Sequence, residues 1–181
     1  MRKEMRLSGS GGQGVITAAI IFAEAAVQEG KEAVQSQSYG PEARGGASKS
    51  EVIVDESPIY HPHVKTPDLV LAMTQKAAEK YYGDLKEDGV LVLDEDLVPE
   101  PPKFPHVIRL PITRLAVEKV GKTLFANIVA LGALVRITGA VKCETIKDSV
   151  AKRVPPHAVE QNMKALQVGW EAAEEVLKAA V

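Results

Sequence analysis

Leu7-Ser8-Gly9-Ser10-Gly11-Gly12-Gln13-Gly14-Val15 is the stretch on which the fold turns. A short strand-like run, Met5 to Ser8, leads into it. A long apolar segment, Val15 to Glu29, follows it. Four glycines within six residues at the mouth of a helix let the backbone curl tightly and aim several N–H groups at one point. The start of a helix carries about half a positive elementary charge, so its natural guest is an anion. Gly9, Gly11 and Gly14 match G-x-G-x-x-G, a spacing whose meaning depends on its surroundings. A purely architectural reading stands beside it, in which Gly11 and Gly14 only let strand and helix pack closely.

The surroundings argue against two nucleotides. An NAD fingerprint wants an acidic residue about 20 positions on, at the end of the second strand, for the ribose hydroxyls. That strand here ends Gln35-Ser36-Gln37-Ser38, with Glu29 and Glu32 at its wrong end. A Walker loop wants Gly-Lys-Ser/Thr, and Gly14-Val15-Ile16 supplies no lysine.

Outward from the loop, Val15 to Glu29 reads as a helix stopped by Gly30. Its few polar residues, Thr17, Glu24 and Gln28, form one narrow stripe, so most of its surface is expected to be covered. Strands are expected at Glu32–Gln37, Ser50–Val54, Asp68–Met73, Gly89–Leu93 and His106–Leu110. Thr74 is an N-cap for a helix Gln75–Tyr82. Beyond Pro111 the chain turns helical: Ile112–Val120, Leu124–Thr138, Glu144–Ala151 and a final helix opened by Pro156. In that last helix Val159, Met163, Leu166, Trp170, Ala173 and Leu177 form the expected core stripe. Ala126, Ala130, Gly132 and Ala133 permit close helix approach. The pattern predicts a single α/β domain over residues 1–181. It is three-layered, with a mainly parallel sheet, helices on both faces, a Rossmann-like first β-loop-α unit and a helical last third. The second and third strands can instead be an antiparallel pair.

Composition bounds the function. With 181 residues the chain can bury a real core. A net charge of −2 gives nucleic acid no basic face. No apolar run reaches the roughly 18 residues of a membrane span, and Met1 to Arg6 has no signal-peptide character. The expected compartment is the cytoplasm. One cysteine, Cys143, cannot furnish the about four thiolates of an iron–sulfur cluster.

A second segment, Ser38 to Gly46, is a loop punctuated by Gly40-Pro41 and Gly45-Gly46. Arg44 offers a planar fork of donors to a carboxylate or phosphate. Its plainer role is an ion pair with Glu42 or Glu51. Taken together, Ser8-Gly-Ser-Gly-Gly-Gln-Gly-Val15 and Gln35-Ser-Gln-Ser-Tyr-Gly-Pro-Glu-Ala-Arg-Gly-Gly-Ala-Ser-Lys-Ser-Glu-Val52 resemble the gamma subunit of the 2-oxoacid:ferredoxin oxidoreductases, nearest the 2-oxoglutarate branch. The resemblance implies CoA-dependent oxidative decarboxylation of a 2-oxoacid on thiamine diphosphate, with electrons passing through iron–sulfur clusters to ferredoxin. It implies alpha, beta and delta-type partner subunits carrying the thiamine, magnesium, clusters and coenzyme A chemistry. This chain lacks the family's Gly-Asp-Gly diphosphate–magnesium motif; Gly83-Asp84-Leu85 only begins like it. The chain is then an accessory and assembly subunit, inactive alone, with no catalytic residue and no metal of its own. Two loops are its candidate sites. Gly9, Ser10, Gly11, Gly12, Gln13 and Gly14 would meet an anion or a partner. Tyr39, Glu42, Arg44, Gly45 and Gly46 would lie at a partner or substrate boundary. Pyruvate or a branched-chain 2-oxoacid is the alternative substrate. A free-standing dinucleotide-dependent oxidoreductase and a coenzyme A-binding module are the alternative functions.

Other features have plainer readings. His61-Pro62-His63 lacks a third metal ligand nearby and reads as a solvated loop. Asp94-Glu95-Asp96 follows a strand and reads as a turn or helix cap, and Cys143 as an inert packing residue.

Overall fold

The structure, a computed structural model, describes residues 1–38 and 46–181. In chain order the elements are β1 (Lys3–Ser10), α1 (Val15–Gln28), β2 (Glu32–Gln37), β3 (Ala47–Asp55), β4 (Leu69–Ala72), α2 (Gln75–Tyr81), β5 (Val90–Asp94) and β6 (Val107–Leu110). There follow α3 (Ile112–Leu115), α4 (Ala126–Thr138), α5 (Cys143–Arg153) and α6 (Val159–Ala179). The strands form one sheet in the order β2-β3-β1-β4-β5-β6. β1, β4, β5 and β6 are parallel neighbours, and β3 runs against both β1 and β2. The sheet is therefore mainly parallel, with the expected antiparallel β2–β3 pair at one edge.

Alternation along the strands sorts side chains to two faces. Met5, Leu7, Val52, Leu69, Leu71 and Val92 face a large core with α1, α4, α5 and α6. Val70, Ala72, Leu91 and Leu93 face a smaller core closed by Ala77, Ala78 and Tyr81 of α2. Helices lie on both faces, but unequally. β4, and β5 as far as Leu93, are apolar because both their faces are covered. Thr74 caps α2, its hydroxyl accepting from the Ala77 N–H at 3.2 Å.

Beyond shifts of a few residues at element ends, three features differ from expectation. The helix over 112–120 is α-helical only to Leu115. A π turn, Ala116–Val120, follows, closed by the Gly121 N–H on the Ala116 carbonyl at 2.8 Å, and Gly121 ends it with φ 122°. The turn before α4, Thr123–Phe125, is a 3-10 turn. The buried stripe of α6 is Asn162, Ala165, Leu166, Gly169 and Ala173, while Met163 and Trp170 flank it half-buried. The small residues win because they let the α6 backbone lie directly on α4. A Cβ on Gly169 would stand 1.8 Å from the Val129 carbonyl oxygen, and one on Gly132 would stand 2.1 Å from that of Leu166.

Candidate functional site

The chain leaves β1 through α1 across one face of the sheet and leaves β4 through α2 across the other. The carboxyl ends of β1 and β4 thus flank a topological switch point, where open α/β sheets form a crevice. The glycine loop occupies that crevice. Its polar side chain turns inward. The Gln13 carboxamide oxygen accepts from the Ser10 N–H at 2.8 Å, and its NH₂ donates to the Met73 carbonyl at 3.2 Å, just past β4. Gln13 therefore clips the loop across the switch point, and Gly9 leaves room for it: a Cβ there would stand 2.5 Å from the Gln13 oxygen. Gly14 is left-handed at φ 75°, and its carbonyl accepts from the Asn127 carboxamide of α4 at 3.2 Å. Gly11 and Gly12 are exposed, and among the described residues nothing lies within 4 Å of a Cβ placed on Gly12.

A cleft of about 430 Å³ opens beside the loop. It is bounded by Gly12 to Gly14, Thr17, Leu97, Thr113, Leu124 and Asn127 among others, and among the described residues no Lys, Arg, Asp or Glu lines it. α1 starts without a side-chain cap and without an acid in its first turn, so the helix dipole is the local positive potential. Leu124 is 75% exposed and Leu97 38% exposed at the rim. Neutral hydrogen-bonding groups, an open backbone and a leucine rim suit a protein surface. The uncapped helix start suits an anionic group.

The described ends of the second segment singled out in the sequence, Ser38 and Gly46, lie near this loop. β1 and β3 pair from Lys3↔Val54 to Ser10↔Ala47, so β3 begins beside the glycine loop. The Ser48 hydroxyl reaches the Gly9 carbonyl at 3.5 Å, and the Tyr81 hydroxyl donates to the Ala47 carbonyl at 3.2 Å. Gly46 lies half-buried at the entrance to β3. Tyr39, Glu42, Arg44 and Gly45 fall outside the described residues. The Ser38 N–H donates to the Lys49 carbonyl at 3.3 Å, so both ends of their segment rise from the β2–β3 end next to the glycine loop.

Sequence reasoning missed Arg6. It sits on β1, 4% exposed, on the α2 face. Its guanidinium donates to Glu51 at 2.8 Å, to the Tyr81 carbonyl at 3.0 Å and, through two nitrogens, to both carboxylate oxygens of Asp84. Burial alone would lower the Arg6 pKa and raise that of Asp84. The bonds between them outweigh it, holding Arg6 above and Asp84 below their ordinary values. The signal was an arginine between Met5 and Leu7 in a strand that leads into the sheet, where a buried charge demands a partner.

The remaining candidates are plain. The Asp94 carboxylate is fully buried and accepts from the Asp96, Leu97 and Thr113 N–H groups and the Thr113 hydroxyl. It caps the turn and the start of α3. Glu95 and Asp96 pair with Arg114 on the surface. His61 and His63 are exposed, and Cys143 is half-buried at the start of α5. Among the described residues no three His, Cys, Asp or Glu side chains gather as metal ligands.

A family model described as pyruvate ferredoxin/flavodoxin oxidoreductase matches residues 4–172. The chain is 48% identical to the 2-oxoglutarate synthase subunit KorC of Methanocaldococcus jannaschii, over 97% of this chain and 96% of that one. Its fold superposes on the keto/oxoacid ferredoxin oxidoreductase gamma subunit of Geobacter sulfurreducens with a TM-score of 0.90 and 50% identity, covering 97% of this chain and 98% of that one. It superposes on the pyruvate oxidoreductase subunit PORC of Thermotoga maritima with a TM-score of 0.80 and 27% identity, covering 94% and 96%.

Proposed function

The chain belongs to the pyruvate ferredoxin/flavodoxin oxidoreductase family, and on that premise we propose that it is the gamma subunit of a 2-oxoglutarate:ferredoxin oxidoreductase. Identity of 48% to the 2-oxoglutarate synthase relative, against 27–32% to the pyruvate ones, supports that substrate over pyruvate.

In this reading the chain performs no bond-breaking step. Its glycine loop and the segment around Arg44 together form one docking edge. The observation that carries this is the Ser10↔Ala47 pairing, which makes both segments leave the sheet at one place. Alpha, beta and delta-type subunits, implied by the family resemblance, would hold thiamine diphosphate, magnesium, clusters and coenzyme A in a cytoplasmic complex. The chain's own residues do not suit those groups. Cys143 is its single cysteine, and the Asp84 carboxylate is engaged by Arg6. Arg44 would meet a carboxylate or phosphate at the boundary. The uncapped start of α1 favours a second reading, in which an anionic group of the substrate or of coenzyme A rests on the loop.

Affinity purification of the chain from its native cell should bring down a thiamine-binding and a cluster-bearing chain. Arg44→Ala should weaken their retention or raise the KM for the 2-oxoacid. A solitary chain, or an Arg44→Ala complex unchanged in both respects, refutes the reading. Thermal-shift titration separates the alternatives. Coenzyme A at about 100 times its dissociation constant should stabilise the chain by roughly 2.7 kcal/mol if the loop holds it, and NAD should do nothing.

A further inference from the structure

Parallel strands are joined by evenly spaced bonds, in which every second residue of a strand binds the two neighbours of its opposite number. Between β1 and β4 the last such bond runs from the Met73 N–H to the Ser8 carbonyl, at 3.0 Å. Ser8 stands opposite Ala72, so the next would run from the Ser10 N–H to the Met73 carbonyl. Those are the two groups that the Gln13 carboxamide joins. Its oxygen accepts from the Ser10 N–H at 2.8 Å, and its NH₂ donates to the Met73 carbonyl at 3.2 Å. A side-chain amide is thus inserted into the ladder where a direct bond is due. The backbone fixes it there: the Gln13 N–H donates to the Ser10 carbonyl at 3.2 Å, so Gln13 engages both backbone groups of Ser10 and closes the turn between them. The inserted amide is closely packed. The place of the Cβ that Gly9 lacks lies 2.5 Å from the Gln13 oxygen, 3.3 Å from the Met73 Cβ and 3.4 Å from the Val15 Cγ1.

We infer that Gln13 is a positioning residue that takes the place of a ligand at the switch point. Dinucleotide-binding sheets leave the opening between their diverging strands to the diphosphate. Here the chain's own carboxamide fills it and uses the N–H and the carbonyl that a guest would meet. Leaving those two groups unbonded is costly, which holds Gln13 in place. The loop therefore keeps one shape with or without a partner, and a loop already ordered loses little freedom on association. That consequence for association rests on the docking reading above; the filled opening does not. The two readings of the loop also part here, because an anion at the start of α1 would have to lie outside the opening or displace Gln13.

NMR of the isotope-labelled full-length chain tests this. The Ser10 amide should exchange slowly with solvent in wild type. Gln13→Met keeps the bulk and makes neither side-chain bond; Gln13→Ala removes both bulk and bonds. Each should speed Ser10 exchange roughly tenfold, with the Met73 amide still protected and the melting temperature that of a folded chain. Sodium pyrophosphate, the group that dinucleotides and coenzyme A share, should leave the wild-type Ser10 and Gly12 signals where they are. In the complex assembled with its co-purifying subunits, both variants should bind about two- to tenfold more weakly than wild type. Equal Ser10 exchange in wild type and Gln13→Met overturns the inference. So does a saturable movement of the wild-type Ser10 and Gly12 signals with pyrophosphate. Faster Ser10 exchange with undiminished subunit affinity upholds the filled opening and refutes the docking reading instead.

Discussion

The glycines of the α4–α6 seam and those of the loop after β1 are the same residue put to opposite uses. In the seam the missing side chain is consumed inside the molecule: two helix backbones fill its place, and a Cβ on Gly169 would overlap the Val129 carbonyl at 1.8 Å. In the loop no described residue comes within 4 Å of a Cβ placed on Gly12. No described residue of the chain uses that space. Gly14 stands between the two, needed for its backbone angle of 75° and for the Asn127 contact. If this contrast is right, substitutions in the seam should read out as stability, and substitutions at Gly12 as association.

The largest expected effect is Gly169→Ala. Added methylenes in tight cores cost about 1–3 kcal/mol, and more where the obstacle is backbone. Here α6 must slide bodily off α4, so a loss of about 3 kcal/mol or outright failure to fold is expected, read from the urea midpoint. A loss under about 1 kcal/mol would mean the helices are not this close.

Arg6→Ala should come next, at about 2–3 kcal/mol. Breaking a fully buried ion pair costs about 3–5 kcal/mol, and solvent reaching Asp84 reduces this. The acid limb gives an independent check. Burial pushes the carboxyl groups of Asp84 and Glu29 up, but Arg6 for the first, and the Lys142 N–H, Thr145 and Lys31 for the second, hold both below their ordinary values in the folded chain. A depressed folded value means that the contribution is full above the ordinary values near 3.8 and 4.5. It is lost as pH falls through the folded ones. Acid titration should therefore destabilise wild type more steeply than Arg6→Ala, the two curves converging at low pH.

Gly14→Ala tests the intermediate case. A left-handed non-glycine residue costs about 1–2 kcal/mol, and the Asn127 carboxamide can swing aside. A loss of that size is expected, with Asn127→Ala giving about 1 kcal/mol. The pair shows where the sequence was legible. Gly14 and Gly30 sat at helix ends and could be placed by their neighbours; both are left-handed. The strands could be placed because alternation and apolar runs report which faces are covered. Gly169 could not be read, because large residues on either side produced a plausible stripe through Met163 and Trp170. Which side of a helix meets its partner depends on a contact about 40 residues away. Arg6 was hidden likewise: its partners, Glu51 and Asp84, are distant in sequence and adjacent only once β3 and α2 are in place.

The smallest expected effect on folding decides most about function. Gly12→Leu introduces a large side chain where no described residue stands within 4 Å of its Cβ, so stability should stay within about 0.5 kcal/mol of wild type. If the loop is a docking edge, the same leucine stands between two surfaces that meet closely, and affinity for the partner subunits should fall at least tenfold. A Gly169→Ala chain that still folds should show the reverse: weakened stability with affinity intact once folding is complete. Partner titration by calorimetry on matched samples separates the two. Should Gly12→Leu bind its partners as well as wild type does, the open backbone is not where they dock. The glycine run would then revert to its architectural role, carried by Gly9 and Gly14 alone.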